Sequence, residues 1–199
     1  MLAAEMAAEF GSPPYHNTAA LIKWGADVNA QDLKGNTALM LVVSRNRRRE
    51  DKGPLVSLLM DGGADPNIRN KESMAPLLLA AKDREGTGVL TVLAEKGANL
   101  NLRTDEQMTA LMYAALNGRQ DNVETLLNHG ADINAQSASG KTALHFAARS
   151  VDREMVSLLI NWGADTCIRN KNGQTAWKFA YDDGMNGLAQ YMKRRSGNC

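Results

Sequence analysis

The 199-residue chain is 44% hydrophobic and 23% charged, with a formal net charge of +1. This excludes a disordered composition and any whole-molecule field that would favour nucleic acid or an anionic membrane. No run of about 18 or more apolar residues occurs, so no stretch reads as membrane-spanning, and the start MLAAEMAAEF lacks the basic n-region of a signal peptide. Cys167 and Cys199 are too few for a disulfide framework and suit a reducing compartment, which makes the cytoplasm, with the nucleus also open, the default location.

Residues 1–31 read as an N-terminal cap built on a degenerate unit. Leu2, Met6 and Phe10 share one face of an Ala-rich helix that Gly11-Ser12-Pro13-Pro14 must end. An alternative takes Glu9-Phe10-Gly11-Ser12 as a cloning junction, with part of this segment foreign. Residues 32–69 form the first full unit, where Thr37 suits an N-cap because its hydroxyl can accept an orphan N–H of the first turn. Thr37 lies 19 positions before Val56, against 14 between Thr142 and Val156, so five extra residues separate the two helices of this unit. They extend a basic stretch, Arg45, Arg47, Arg48, Arg49 and Lys52, which reads as a solvated loop or, alternatively, as a docking element for an acidic partner or phosphates.

Residues 70–103 carry Ala75-Pro76-Leu77-Leu78 at the helix start. Pro76 suits the first helical position, where its missing N–H costs nothing, while the loss of a Thr cap at Ala75 costs roughly 0.5 to 2 kcal/mol. Residues 104–136 restore Thr109-Ala110-Leu111-Met112, and 137–169 form the most regular unit. Residues 170–199 read as a C-terminal capping unit ending in the polar helix Gln190–Arg195, as an exposed solenoid end requires, with basic residues opposing the macrodipole.

The units superpose in sequence. Thr37, Ala75, Thr109, Thr142 and Thr175 recur at intervals of 38, 34, 33 and 33, and Gly25, Gly63, Gly97, Gly130 and Gly163 repeat the same phase. Leu39, Leu77, Leu111, Leu144 and Trp177 form one apolar column and Leu58, Leu126 and Leu158 a second, both expected in the core. Each repeated Gly is expected in the left-handed conformation that ends a helix, and the acid or Asn two positions on (Asp27, Asp65, Asn99, Asp132, Asp165) bonds locally to the turn backbone. Cys167 takes the slot of Asn29, Asn67, Asn101 and Asn134 and is expected to be a small buried hydrophobe. A period near 33 with the helix start Thr142-Ala143-Leu144-His145 resembles the ankyrin repeat over nearly the whole chain. The resemblance implies an all-α ankyrin-repeat solenoid of stacked helix-turn-helix units with β-hairpin-like turns. It also implies protein binding through the turn tips and inner helices, and a structural histidine at His145 that Met40, Leu78, Met112 and Lys178 replace elsewhere.

No catalytic constellation accompanies this pattern. His16, His129 and His145 fall in three different units without zinc-spaced partners, and no GxSxG, GxGxxG or complete phosphate-binding loop occurs. The expectation is a non-enzyme without cofactor or metal. In the geometry that the resemblance implies, Leu33, Asp105, Glu106, Lys141 and Arg149 face a partner, and Met74, Met108 and Leu116 make an exposed apolar patch beside them. The partner is then a protein segment with an apolar anchor and a basic residue; nucleic acid is disfavoured by the net charge, and the chain alone is expected to be monomeric. Asn29 and Asn134, each with Leu eight positions before (Leu21, Leu126), are similar to ankyrin sites modified by an asparaginyl hydroxylase, or else simply complete the turn. The function expected is an adaptor or scaffold. Binding of nucleic acid or anionic lipid by the basic loop, and a regulatory domain of a larger enzyme or a pathogen effector, are the alternatives.

Overall fold

The computed structural model describes residues 14–45, 51–149 and 152–197, so the expected helix over Leu2 to Phe10 and the junction-like Glu9 to Ser12 lie outside the described residues. Eleven helices and no strand occur among the described residues. The chain divides into two compact units, residues 1–102 and 103–199.

The first unit holds α1 (Pro14–Lys23), α2 (Ala38–Ser44), α3 (Gly53–Asp61), α4 (Pro76–Lys82) and α5 (Thr87–Glu95). Helices of seven to ten residues fall below the ~12–15 at which isolated helices become even marginal in water, so packing must hold them. α2 packs on α4, α3 on α5 and α1 on α3, and each of α2 and α4 packs on the helix that follows it. Leu39, Leu77, Leu78, Leu90 and Leu93 are almost fully buried between them. Thr37 caps α2, its hydroxyl accepting from the Met40 N–H at 3.4 Å, whereas α4 starts from Ala75 with no side-chain cap and Pro76 in its first turn. The extra residues fall where expected: α2 and α3 are separated by residues 45–52, α4 and α5 by 83–86.

The second unit holds α6 (Ala110–Leu116), α7 (Gln120–Asn128), α8 (Ala143–Arg149), α9 (Arg153–Asn161), α10 (Ala176–Asp182) and α11 (Asn186–Arg195). α6, α8 and α10 pack in a row, each also against the helix that follows it, around Leu111, Met112, Leu126, Leu144, Met155 and Leu159. Thr109 and Thr175 cap α6 and α10, and Asp152 caps α9 by accepting from Met155 N–H at 2.9 Å. The expected second apolar column is one residue out of register: Leu126 is buried, Leu58 and Leu158 are half-buried, and the buried residues in the phase of Leu126, four before the helix-ending glycine, are Leu59 and Leu159. The helix-ending glycines are left-handed, as at Gly130 (φ +91°) and Gly163 (φ +88°). Cys167 departs from expectation: it is exposed in its turn. Its slot faces water because a turn, unlike a helix face, has no neighbouring helix to cover it.

Candidate interaction surface

Each short helix of the inner row is preceded by a hairpin built on one side-chain acceptor. The Asp32 carboxylate accepts from Lys34 N–H (2.8 Å) and Asn36 N–H (2.7 Å), and the Asn70 carbonyl from Glu72 N–H and Met74 N–H, both at 2.9 Å. Those bonds hold the Asp32 carboxyl below the usual carboxylate range, the Asn36 amide contributing most. In the second unit Thr104 accepts from Met108 N–H (3.2 Å), Ser137 from Lys141 N–H (3.2 Å) and Asn170 from Asn172 and Gln174 N–H (2.9 and 3.0 Å). Sequence reading missed this column, although its signal is simple: a short side-chain acceptor always stands five residues before the helix-start position.

Successive tips are joined by backbone bonds. Within the first unit Lys71 N–H donates to Lys34 O at 3.0 Å; within the second, Ala138 N–H donates to Glu106 O at 2.8 Å and Lys171 N–H to Ser139 O at 3.0 Å. The approach is close enough to require glycine. A Cβ on Gly140 (φ +75°) would lie 2.8 Å from Lys171 N, and one on Gly35 (φ +80°) 3.0 Å from Lys71 N. Gln136 Nε2 donates to both Gly140 O (2.9 Å) and Arg169 O (3.3 Å), and Gln31 makes the same pair of bonds to Gly35 O and Arg69 O. The result in each unit is a row of tips whose backbone polar groups are bound inward, leaving side chains to face outward.

His145 adds a tie in the second unit. It is 1% exposed, with Nε2 3.1 Å from Gln174 O, and its Nδ1 accepts from the Thr142 N–H at 3.3 Å. This set fits the neutral ring protonated on Nε2. Burial pushes its pKa below the ordinary histidine value, Lys141 adds to this, and the Gln174 carbonyl opposes it. Asn29 and Asn134 link turns likewise: Asn29 accepts from Asp65 N–H (2.8 Å) and donates to Gly63 O (3.0 Å), and Asn134 accepts from Asp165 N–H (2.8 Å).

Of the residues expected to face a partner, Leu33 (93% exposed), Asp105, Glu106 and Arg149 are exposed. Lys141 is half-buried with Nζ 4.4 Å from the Phe179 ring centroid. The apolar patch does not form as expected. Met74 is 5% and Met108 9% exposed, and Met108 packs with Met112, Ala135 and Phe146, against which the half-buried Leu116 rests. The same staple holds Asn36, Lys141 and Gln174, which are only half-buried, so the deeper burial follows from the apolar side chain itself: burying a Met is worth roughly 1.5–3 kcal/mol. The basic loop also changes. Arg47, Arg48 and Arg49 lie outside the described residues, and Arg45 is half-buried at the end of α2. Lys52 is no free loop cation: its Nζ donates to Val43 O at 2.9 Å, closing the end of α2, and pairs with Asp83 at 3.2 Å.

Among the described residues no group of three or more His, Cys, Asp or Glu could hold a metal ion, and no helix is long and apolar enough to cross a membrane. Family models described as ankyrin repeats in three copies and in many copies match residues 48–137 and 116–160, together more than half of the 199 residues. The crystal structure of EF0377, an ankyrin repeat protein, superposes with a TM-score of 0.84 and 29% identity, covering 97% of each chain. Protein lin-12 of Caenorhabditis elegans is 47% identical over 70 residues, which is 35% of this chain, and the match spans 4% of that relative's length. The chain belongs to the ankyrin-repeat family.

Proposed function

We propose that the chain is a non-catalytic adaptor or scaffold whose hairpin tips receive a segment of a partner protein. Ankyrin repeats generally mediate protein–protein interaction and generally are not catalysts, and repeat arrays offer extended surfaces for it. The supporting observation is the tip row of the second unit. Asp105 and Glu106 are exposed on a backbone that Ala138 N–H clasps at Glu106 O (2.8 Å), so two acidic side chains are presented on a pre-ordered support. The matching partner segment carries basic residues. The first unit offers a separate apolar contact at Leu33, 93% exposed. A Glu106→Lys, Asp105→Lys double variant and a Leu33→Asp variant test this, each first shown to melt like wild type. The charge reversal is expected to release proteins captured by the immobilised wild-type chain and to weaken the salt dependence of the rest. Capture that is identical for all three proteins would contradict the reading.

A further inference from the structure

The last helix pair breaks three columns that are apolar or closed everywhere else. Leu39, Leu77, Leu111 and Leu144 are 0–1% exposed, but their counterpart in α10 is the half-buried Trp177. Met40, Leu78, Met112 and His145, also 0–1% exposed, give way to the exposed Lys178. Ala81, Ala115 and Ala148, all at 0%, give way to Tyr181 at 52%. A face given over to water alone would carry polar residues at all three positions. Here α10 and α11 instead flank a half-open groove of about 390 Å³ lined by Trp177, Lys178, Tyr181, Ala189, Gln190 and Lys193, within the size range of roughly 300–1,000 Å³ for ligand pockets.

Its walls are aromatic, and its polar groups are mostly donors. Lys193 Nζ sits 4.9 Å from the Trp177 ring centroid and makes no ion pair among the described residues. Lys178 Nζ sits 5.0 Å from the Tyr181 ring and 2.8 Å from Asp182, which also accepts from Gln174 (2.7 Å), so that carboxylate is already engaged. Trp177 Nε1 is the one buried side-chain polar atom among the described residues without a hydrogen-bond partner. A buried indole N–H normally has an acceptor.

We infer that this groove binds an acidic segment of a partner protein, an apolar side chain lying against Trp177 and Tyr181 and an Asp or Glu carboxylate meeting Lys193. With Lys178 engaged by Asp182, Lys193 is the one lining lysine without an ion pair among the described residues, which suits a single carboxylate and not a run of phosphates. The site is separate from the hairpin tips and does not depend on their role.

The test titrates the full chain with a short capped peptide of alternating Glu and Leu, following the Trp177 indole N–H resonance, identified by its loss in Trp177→Phe. The expected result is a saturable shift of that resonance, with those of Trp24 and Trp162 unmoved, and affinity at least about tenfold weaker in Lys193→Glu, a reversal at an exposed position. No shift, an equal shift with an alternating Lys and Leu peptide or a single-stranded oligonucleotide, or unchanged affinity in Lys193→Glu would overturn the proposal.

Discussion

The two units use one repeat pattern but close it by different chemistry. In the first unit the second buried position of the inner helices is apolar, Met40 and Leu78, while in the second unit it is Met112 and then His145. Dispersion and water exclusion act at Met40 and Leu78 whatever the pH. At His145 part of the holding comes from the bond that Nδ1 accepts from the Thr142 N–H, which needs a neutral ring, and from burial of that uncharged ring, whereas the Nε2 bond to Gln174 O survives protonation. Because burial depresses its folded pKa, the unfolded chain binds more protons than the folded one as pH falls past the ordinary value of 6.5. The His145 contribution is therefore complete above that value and is lost as pH drops from there through the folded pKa. Depressed carboxylates occur in both units, at Asp32 and Asp61 in the first and Asp182 in the second, and act only near and below their ordinary value of 3.8. The mildly acidic window thus separates the units.

The largest way to break the comparison is at a tip glycine. Gly140→Ala places a Cβ 2.8 Å from Lys171 N at φ +75° and is expected to cost roughly 3 kcal/mol. Gly130→Ala, equally left-handed at φ +91° but with open space around it, is expected to cost only about 1 kcal/mol. Chemical denaturation of both variants checks the ratio. His145→Leu, a side chain already used at Leu78, is expected to cost about 1 kcal/mol near neutrality by removing one of the two bonds that Gln174 O accepts, the Asn170 N–H remaining, while flattening stability between pH 7 and 5. A midpoint series over that range measures both effects.

Two smaller changes act on the first unit. Ala75→Thr supplies the cap that Thr37 gives α2 and is expected to stabilise by about 1 kcal/mol, read as a raised denaturation midpoint. Lys52→Met removes the bonds to Val43 O and Asp83, and the ion pair is only partly buried, with side chains 11% and 35% exposed. Its coupling to Asp83→Asn in a double-mutant cycle is expected to be about 0.5–1 kcal/mol.

What was legible in the sequence follows from the range of each interaction. The Thr caps, the left-handed glycines and the local bonds of Asp27, Asp65 and Asp132 join neighbours within a few residues, so spacing alone exposes them. The staple column was hidden because Asp32, Asn70, Thr104, Ser137 and Asn170 share an acceptor but not an identity. Lys52 was misread because its partners stand 9 and 31 residues away. The burial of Met74 and Met108 depends on how each hairpin folds back over its helices, which no periodicity records. Trp177 shares the phase of the buried leucines, but among the described residues α10 has an inner-helix neighbour, α8, on one side of the row only.

Amide hydrogen exchange, corrected for intrinsic rates and taken at pH 7.5 and pH 5, tests the pH comparison most directly. The account predicts that protection around α8 and α10 falls at the lower pH, that protection around α2 and α4 does not, and that His145→Leu abolishes the fall. Equal loss in both units that persists in His145→Leu, or no loss in either, would contradict it.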